Sequence, residues 1–236
     1  MEVTCPSGLK GEIQKPKVRV MNEMRKIANQ DRVKSFSYLL SQTWAKTLDK
    51  GPYRWDGEVV PWEDVLSGDR FYILLKIREA LFGPKYEFKV RCANCNLNYS
   101  WIVELTDLEV KALGKESQEA LLRDEKTIHR ELAFGHTMAF RLSTGRVERA
   151  LMREEEPILK YVMPRLVSFD DLKEPEKIRE ALLDLDHDVL DEMSGVMQEA
   201  DCGVETGIEC VCPGCGTFQA LDLPFGRAFF FPRSAV

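Results

Sequence analysis

The apolar positions of this chain change period several times, and each change marks an element. The opening, Val3 to Val20, carries Pro6, Gly8, Gly11 and Pro16 among short β-prone pieces such as Lys17-Val18-Arg19-Val20. It reads as an extended arm or edge strand. From Arg25 to Leu48 the step lengthens: Val33, Phe36, Leu40 and Trp44 recur every three or four residues, one face of a helix that Gly51-Pro52 stops. After a loop holding Trp55-Asp56-Gly57, a second helix is predicted with Ser67 or Asp69 as its N-cap. Phe71, Leu74, Leu75, Leu81 and Phe82 form its apolar side, and Gly83-Pro84 closes it.

The period then drops to two. Tyr86 to Arg91 alternates as a strand, Cys92-Ala93-Asn94-Cys95 interrupts it, and Tyr99 to Leu105 reads as the returning strand. The same texture recurs late in the chain, where Thr206 to Val211 leads into Cys212-Pro213-Gly214-Cys215 and Phe218 to Leu221 leads away. Two hairpins, each with C-x-x-C at its turn, are the parts of a zinc ribbon. Between them, Asn96 to Val211, lie 116 residues. There a hairpin is predicted over Ala133 to Leu142 around Gly135, then a helix from about Val147 to Val162. Two amphipathic helices follow over Glu176 to Leu185 and Val189 to Gln198. The fold class that results is α+β: split ribbon-like hairpins, a long and mostly helical insertion, and N-terminal helices. The predicted organisation is an arm (1–24), a helical region (25–84), the split ribbon (85–110 with 202–225), an insertion (111–201) and an aromatic C-terminal tail (226–236).

The chemistry concentrates in the cysteines. Without a secretory signal at the start, a reducing compartment is expected, where paired cysteines more often hold metal than form disulfides. Zn²⁺ takes four thiolates tetrahedrally, and a C-x-x-C turn aims two sulfurs to one side. The candidate ligands are Cys92, Cys95, Cys212 and Cys215, with Cys202 or Cys210 able to replace one of them. The long spacer departs from the usual short one, but loop-closure entropy grows slowly enough with length to permit it. Thioredoxin-type redox chemistry fits less well, because Pro213-Gly214 predicts a β turn and not a helix N-terminus. His129, His136 and His187 form no metal-binding motif, and Asp184 to Asp191 lacks the glycine and glutamate offsets of a calcium loop.

Composition changes the picture mainly by exclusion. At 236 residues, 44% hydrophobic and 31% charged, the chain has the makings of a folded core and not of a disordered tail or a collagen-like fibre. No apolar run reaches the length of a membrane span. A net charge of −6 opposes a surface built wholly to grip phosphates, so nucleic acid is a disfavoured partner, and a nucleic-acid-binding zinc ribbon is the alternative reading. The charge is polarised: Met1 to Phe36 holds eight basic and four acidic residues, Asp170 to Ala200 eleven acidic and three basic. Near the end, Phe229-Phe230-Phe231 in an extended strand would point to both sides, so burying them needs two surfaces: either the tail folds back over its own core, or the three are candidate partner-binding residues.

Several short motifs occur in a definite order. They are Pro6-Ser7-Gly8-Leu9-Lys10-Gly11, Gly68-Asp69-Arg70-Phe71-Tyr72, Gly83-Pro84-Lys85-Tyr86 running into Cys92-Ala93-Asn94-Cys95 and Trp101, and Leu142-Ser143-Thr144-Gly145. Cys212-Pro213-Gly214-Cys215-Gly216 and Phe229-Phe230-Phe231-Pro232 complete the series. This order resembles a tailed-bacteriophage baseplate family, similar to the T-even baseplate hub subunit or baseplate hub assembly chaperone. The resemblance implies a non-enzymatic structural or assembly role in the baseplate hub of a contractile tail, with hub or wedge proteins as partners. It also implies action in the host cytoplasm during assembly, with the virion baseplate as a second location.

Overall fold

The computed structural model describes residues 1–123, 125–133 and 135–231. Strands β1 (Glu2–Thr4), β2 (Lys10–Ile13) and β3 (Trp44–Asp49) form an antiparallel sheet in the order β1-β2-β3. Helices α1 (Val18–Ala28) and α2 (Arg32–Thr43) lie between β2 and β3, and α3 (Ser67–Phe82) follows. Hairpin β4 (Lys85–Arg91) with β5 (Asn98–Glu104) comes next, then the two-residue β6 (Val110–Lys111) and α4 (Lys115–Leu122). Strands β7 (Ile128–Glu131), β8 (Thr137–Phe140) and β9 (Leu166–Phe169) make a second antiparallel sheet, with α5 (Gly145–Leu151) between β8 and β9. Helices α6 (Pro175–Leu183) and α7 (His187–Ala200) lead to β10 (Gly203–Val204), which pairs with β6. Hairpin β11 (Gly207–Val211) with β12 (Phe218–Asp222) and the short α8 (Arg227–Phe230) complete an α+β architecture. Among the described residues no helix is long and apolar enough to cross a membrane.

The structure departs from the sequence expectations at four places. Lys17 to Val20 is not extended: α1 begins at Val18 and buries Val20 and Met24, one helical turn apart, against the core. The single helix over 25–48 is two helices and a strand. Asp31 starts the second helix by accepting the Lys34 N–H at 2.8 Å. Trp44 leaves that helix to open β3, where pairing with β2 outweighs the helical spacing. The helix over 147–162 stops at Leu151, and Pro157, which cannot donate to a helical ladder, lies in the turns that follow. The tail is helical at Arg227–Phe230 and not extended. Its predicted stretch 232–236, like Phe134 in the predicted hairpin, lies outside the described residues. That hairpin exists, with its first strand earlier than predicted, at Ile128–Glu131.

Two hydrophobic cores hold these elements. The first gathers the N-terminal sheet, α1 to α3 and both cysteine hairpins, with Val3, Leu9, Leu40, Ile73, Phe88, Ile208 and Phe229 among its buried side chains. The second is built between Leu113 and Cys202, from residues such as Ile128, Phe140, Leu159, Leu182 and Met193, and reaches α3 through Leu66.

Candidate metal centre

Each cysteine hairpin forms its turn in the same way. The Cys92 amide donates to the Leu97 carbonyl at 2.9 Å, and the Asn96 amide returns to Cys92 O at 3.0 Å. In the later hairpin, the Cys212 amide donates to Thr217 O at 3.0 Å and the Gly216 amide to Cys212 O at 2.9 Å. The fifth residue of each turn is left-handed, Asn96 at φ 59° and Gly216 at φ 71°, the residue types that tolerate that backbone best. Equivalent turns therefore present their sulfurs equivalently.

The two turns face each other. The ligand atoms of Cys92, Cys95, Cys212 and Cys215 all lie within 4.8 Å of one another. Cys92 Sγ is 3.7 Å from Cys215 Sγ, and Cys95 Sγ is 3.6 Å from Cys212 Sγ. Disulfide sulfurs stand about 2.05 Å apart, so these four are thiols. A tetrahedron with metal–sulfur bonds of about 2.3 Å has edges of about 3.8 Å, close to the spacing of the two cross-hairpin pairs. The four residues could hold a metal ion.

The surroundings set both position and charge. The Ala93 amide donates to Gln219 Oε1 at 3.1 Å, Gln219 Nε2 donates to Arg91 O at 3.3 Å, and Asn94 Nδ2 donates to Thr217 Oγ1 at 3.2 Å. These bonds join the hairpins across the thiol cluster. The Thr217 hydroxyl, helped by its backbone amide, holds Cys215 down to about 6. The Cys95 amide holds Cys92 below its ordinary value. Cys95 is drawn down by the Leu97 amide, yet its hydrogen bond to Cys215, burial and the Cys212 sulfur push it up to about 12. The cluster thus holds Cys92 and Cys215 below the ordinary thiol value and Cys95 above it, and binding of a divalent cation to the four sulfurs would release protons.

The other cysteines lie elsewhere. Cys210 is fully buried, accepts from Tyr99 Oη at 3.4 Å and faces Gln219 O at 3.5 Å. Cys202 is 4.0 Å from Asp69 Oδ1. Neither joins the four-thiol group. Phe229 and Phe230 are buried in the chain's own first core, where Phe229 packs 4.9 Å from Tyr86 and 4.6 Å from Phe225. Phe231 is half-buried, with the Arg25 guanidinium 5.9 Å from its ring.

A second buried constellation went unread in the sequence. Asp69, fully buried on α3, accepts the Ser7 amide at 3.0 Å, the Ser7 hydroxyl, and Tyr53 Oη at 2.6 Å. Burial raises the Asp69 carboxyl above its ordinary value despite these donors. Beside it, Arg70 donates to Trp62 O at 2.6 Å, Ser37 Oγ at 3.1 Å and Glu148 Oε2 at 3.1 Å. Gly68 and Gly145 complete the packing: a Cβ on Gly68 would stand 2.0 Å from Cys202 O, and one on Gly145 2.8 Å from the Arg70 guanidinium. The sequence signals are the motif order, which holds Ser7, Gly68-Asp69-Arg70 and Gly145, and the expectation of Asp69 as a helix cap.

The fold and the site together define an α+β protein whose two distant hairpins meet at a four-thiol cluster. A family model described as T4 bacteriophage base plate protein matches residues 56–231, and the chain belongs to that family. Neither a curated protein nor a solved structure matches it. Membership carries a structural or assembly role in the phage baseplate and interaction with other tail proteins.

Proposed function

We propose that this chain is a non-enzymatic component of the baseplate hub of a contractile tail, clasped by one structural Zn²⁺ on Cys92, Cys95, Cys212 and Cys215. The observation that carries the reading is the cross-hairpin sulfur spacing of 3.6 and 3.7 Å, which suits a closed tetrahedral site. Four thiolates leave no open position for a catalytic water, so the ion's work is mechanical. Metal binding of this kind contributes on the order of 10 kcal/mol and fastens the two ends of the 116-residue span between the turns. The rigid part so formed is a platform for hub or wedge subunits, met in the host cytoplasm during assembly. Within it Phe231 is the aromatic that faces partners, supported from beneath by Phe229 and Phe230.

Elemental analysis of protein purified without chelator tests the clasp: about one zinc per chain is expected for the four-thiolate site, and close to none in Cys92→Ser or Cys212→Ser. Folded wild-type protein without zinc overturns the metal assignment. Co-expression with baseplate hub and wedge proteins tests the role, and a chain that stays separate from all of them overturns it.

A further inference from the structure

Helix α5 is flanked by two clefts, of about 480 and 400 Å³, that share Arg146, Ala150 and Pro164 and so form one system. Its walls are rich in cations. Arg146 pairs with Asp64, and Arg149 meets Glu63 at 2.9 Å. Arg54, Arg141 and Arg153, all exposed, reach no carboxylate among the described residues. One wall residue also carries a buried donor without a hydrogen-bond partner, Trp55 Nε1, while Arg149 Nε lies 3.7 Å from Asp31 Oδ2. Buried donors without a partner are rare in folded interiors. Just past α5, Met152, Ile158 and Tyr161 are 60%, 48% and 65% exposed. Met163, Tyr53 and Trp55 line the clefts with the arginines, and arginine, methionine and aromatic side chains around a concave surface are the composition of an interface core.

The complementary surface lies on the same chain. Around the junction of α6 and α7, Asp184, Asp186, Asp188 and Asp191 are all exposed, next to Leu183 at 51% exposure. Among the described residues, Asp184, Asp186 and Asp188 meet no cation, and Asp191 faces only His187, at 3.1 Å. One chain thus shows three unpaired arginines on the walls of a cleft whose Glu63, Asp64 and Glu154 are already paired with other arginines, and an acidic turn with three unpaired aspartates.

We propose that the α5 cleft system receives the Leu183–Asp191 turn of a second copy of this chain. The contact joins different surfaces of the two copies, so it is head-to-tail and extends into a ring or a short filament. This goes beyond the zinc clasp and does not depend on it, since no thiol takes part. Charge complementarity brings the copies together and sets their orientation, and the apolar lining residues Met163, Tyr53 and Trp55 with Leu183 supply the contact that excludes water.

Sedimentation velocity of the full chain tests this. Concentration-dependent association is expected at about 50 mM salt, weakening about tenfold or more at about 500 mM as screening shortens. Charge reversal on one side, Arg141→Glu with Arg153→Glu, and on the other, Asp184→Lys with Asp188→Lys, is expected to weaken self-association about tenfold or more each. Mixing the two reversed proteins restores association, an outcome that a damaged fold cannot produce. Zinc content stays as in wild type in both, which separates this result from the fate of the clasp. A monomer at every salt concentration, association indifferent to the reversals, or a mixture that fails to associate overturns the proposal. So does a monomeric chain that binds a free aspartate-rich peptide, because the cleft then serves another protein.

Discussion

At Asp69 one carboxylate ties three stretches of chain: the Ser7 turn, the Tyr53 loop and α3. Removing it leaves the Ser7 amide and hydroxyl and the Tyr53 hydroxyl buried without an acceptor, and each such group costs about 1–3 kcal/mol. Asp69→Ala is therefore expected to lower unfolding free energy by about 3 kcal/mol or more in denaturant titration. Asp69→Asn, which keeps an acceptor oxygen, should cost much less. The pH dependence has a definite sign. Burial raises the folded carboxyl above its ordinary 3.8, so the folded state holds this proton more tightly than the unfolded chain. That contribution is fully present below the ordinary value and is lost as pH rises through the folded one. Asparagine does not ionise, so the stability of Asp69→Asn relative to wild type is expected to climb across that window. A difference flat with pH would show that the carboxylate is already well stabilised by its donors. The sequence could not announce this residue as an anchor, because its partners sit 62 and 16 positions away. Spacing nominated it only as a helix cap, a role the structure gives to neither Ser67 nor Asp69, for Leu66 occupies the cap.

Among the elements, those bounded by local chemistry were legible. The four hairpin strands could be placed from alternation plus a C-x-x-C turn, and α6 and α7 from their apolar stripes, because their buried faces repeat with one period. The strands that failed are those decided by distant pairing. β3 exists because β2 pairs with it, β9 because β8 does, and β6 and β10 are two residues each, meaningful only beside one another. The same reasoning explains why Gly68 is glycine although it lies in the first turn of α3 with no positive φ. Its Cα passes beneath the Cys202–Gly203 backbone, where a methyl would be 2.0 Å from a carbonyl oxygen. Backbone cannot swing aside as a flexible side chain can. Gly68→Ala is thus expected to destabilise by at least about 2 kcal/mol, in the upper range for overpacking, although alanine has the higher helix propensity. Gly195→Ala, inside α7, is the control: nothing lies within 4 Å of its added Cβ, and no loss or a small gain is expected in the same thermal melt.

For the whole molecule, the cysteine hairpins and the C-terminal aromatics share one core, so the clasp and the tail are mechanically connected. Tyr86 on β4 donates to Pro224 O at 2.9 Å, and its ring meets Phe229 edge-on. Arg78 of α3 lies over both rings, 5.0 Å from Tyr86 and 5.4 Å from Phe229. Phe225 and Phe230 then reach Phe36 on α2, with centroids 5.5 and 6.1 Å away. The tail residues thus bridge the helices to the first hairpin, and the three phenylalanines are not equivalent. Phe229 is fully buried, so truncation to alanine is expected to cost about 3–5 kcal/mol. Phe231 is half-buried, and Phe231→Ala should cost under about 1.5 kcal/mol in the isolated chain, since part of its surface is already in water. Binding to baseplate partners should reverse the ranking. At a temperature where both variants are folded, Phe231→Ala is expected to weaken co-assembly while Phe229→Ala leaves it near wild type. Denaturant melts read beside pull-downs with hub proteins separate the two roles. Equal losses of binding at equal fraction folded would mean that the tail serves only its own core.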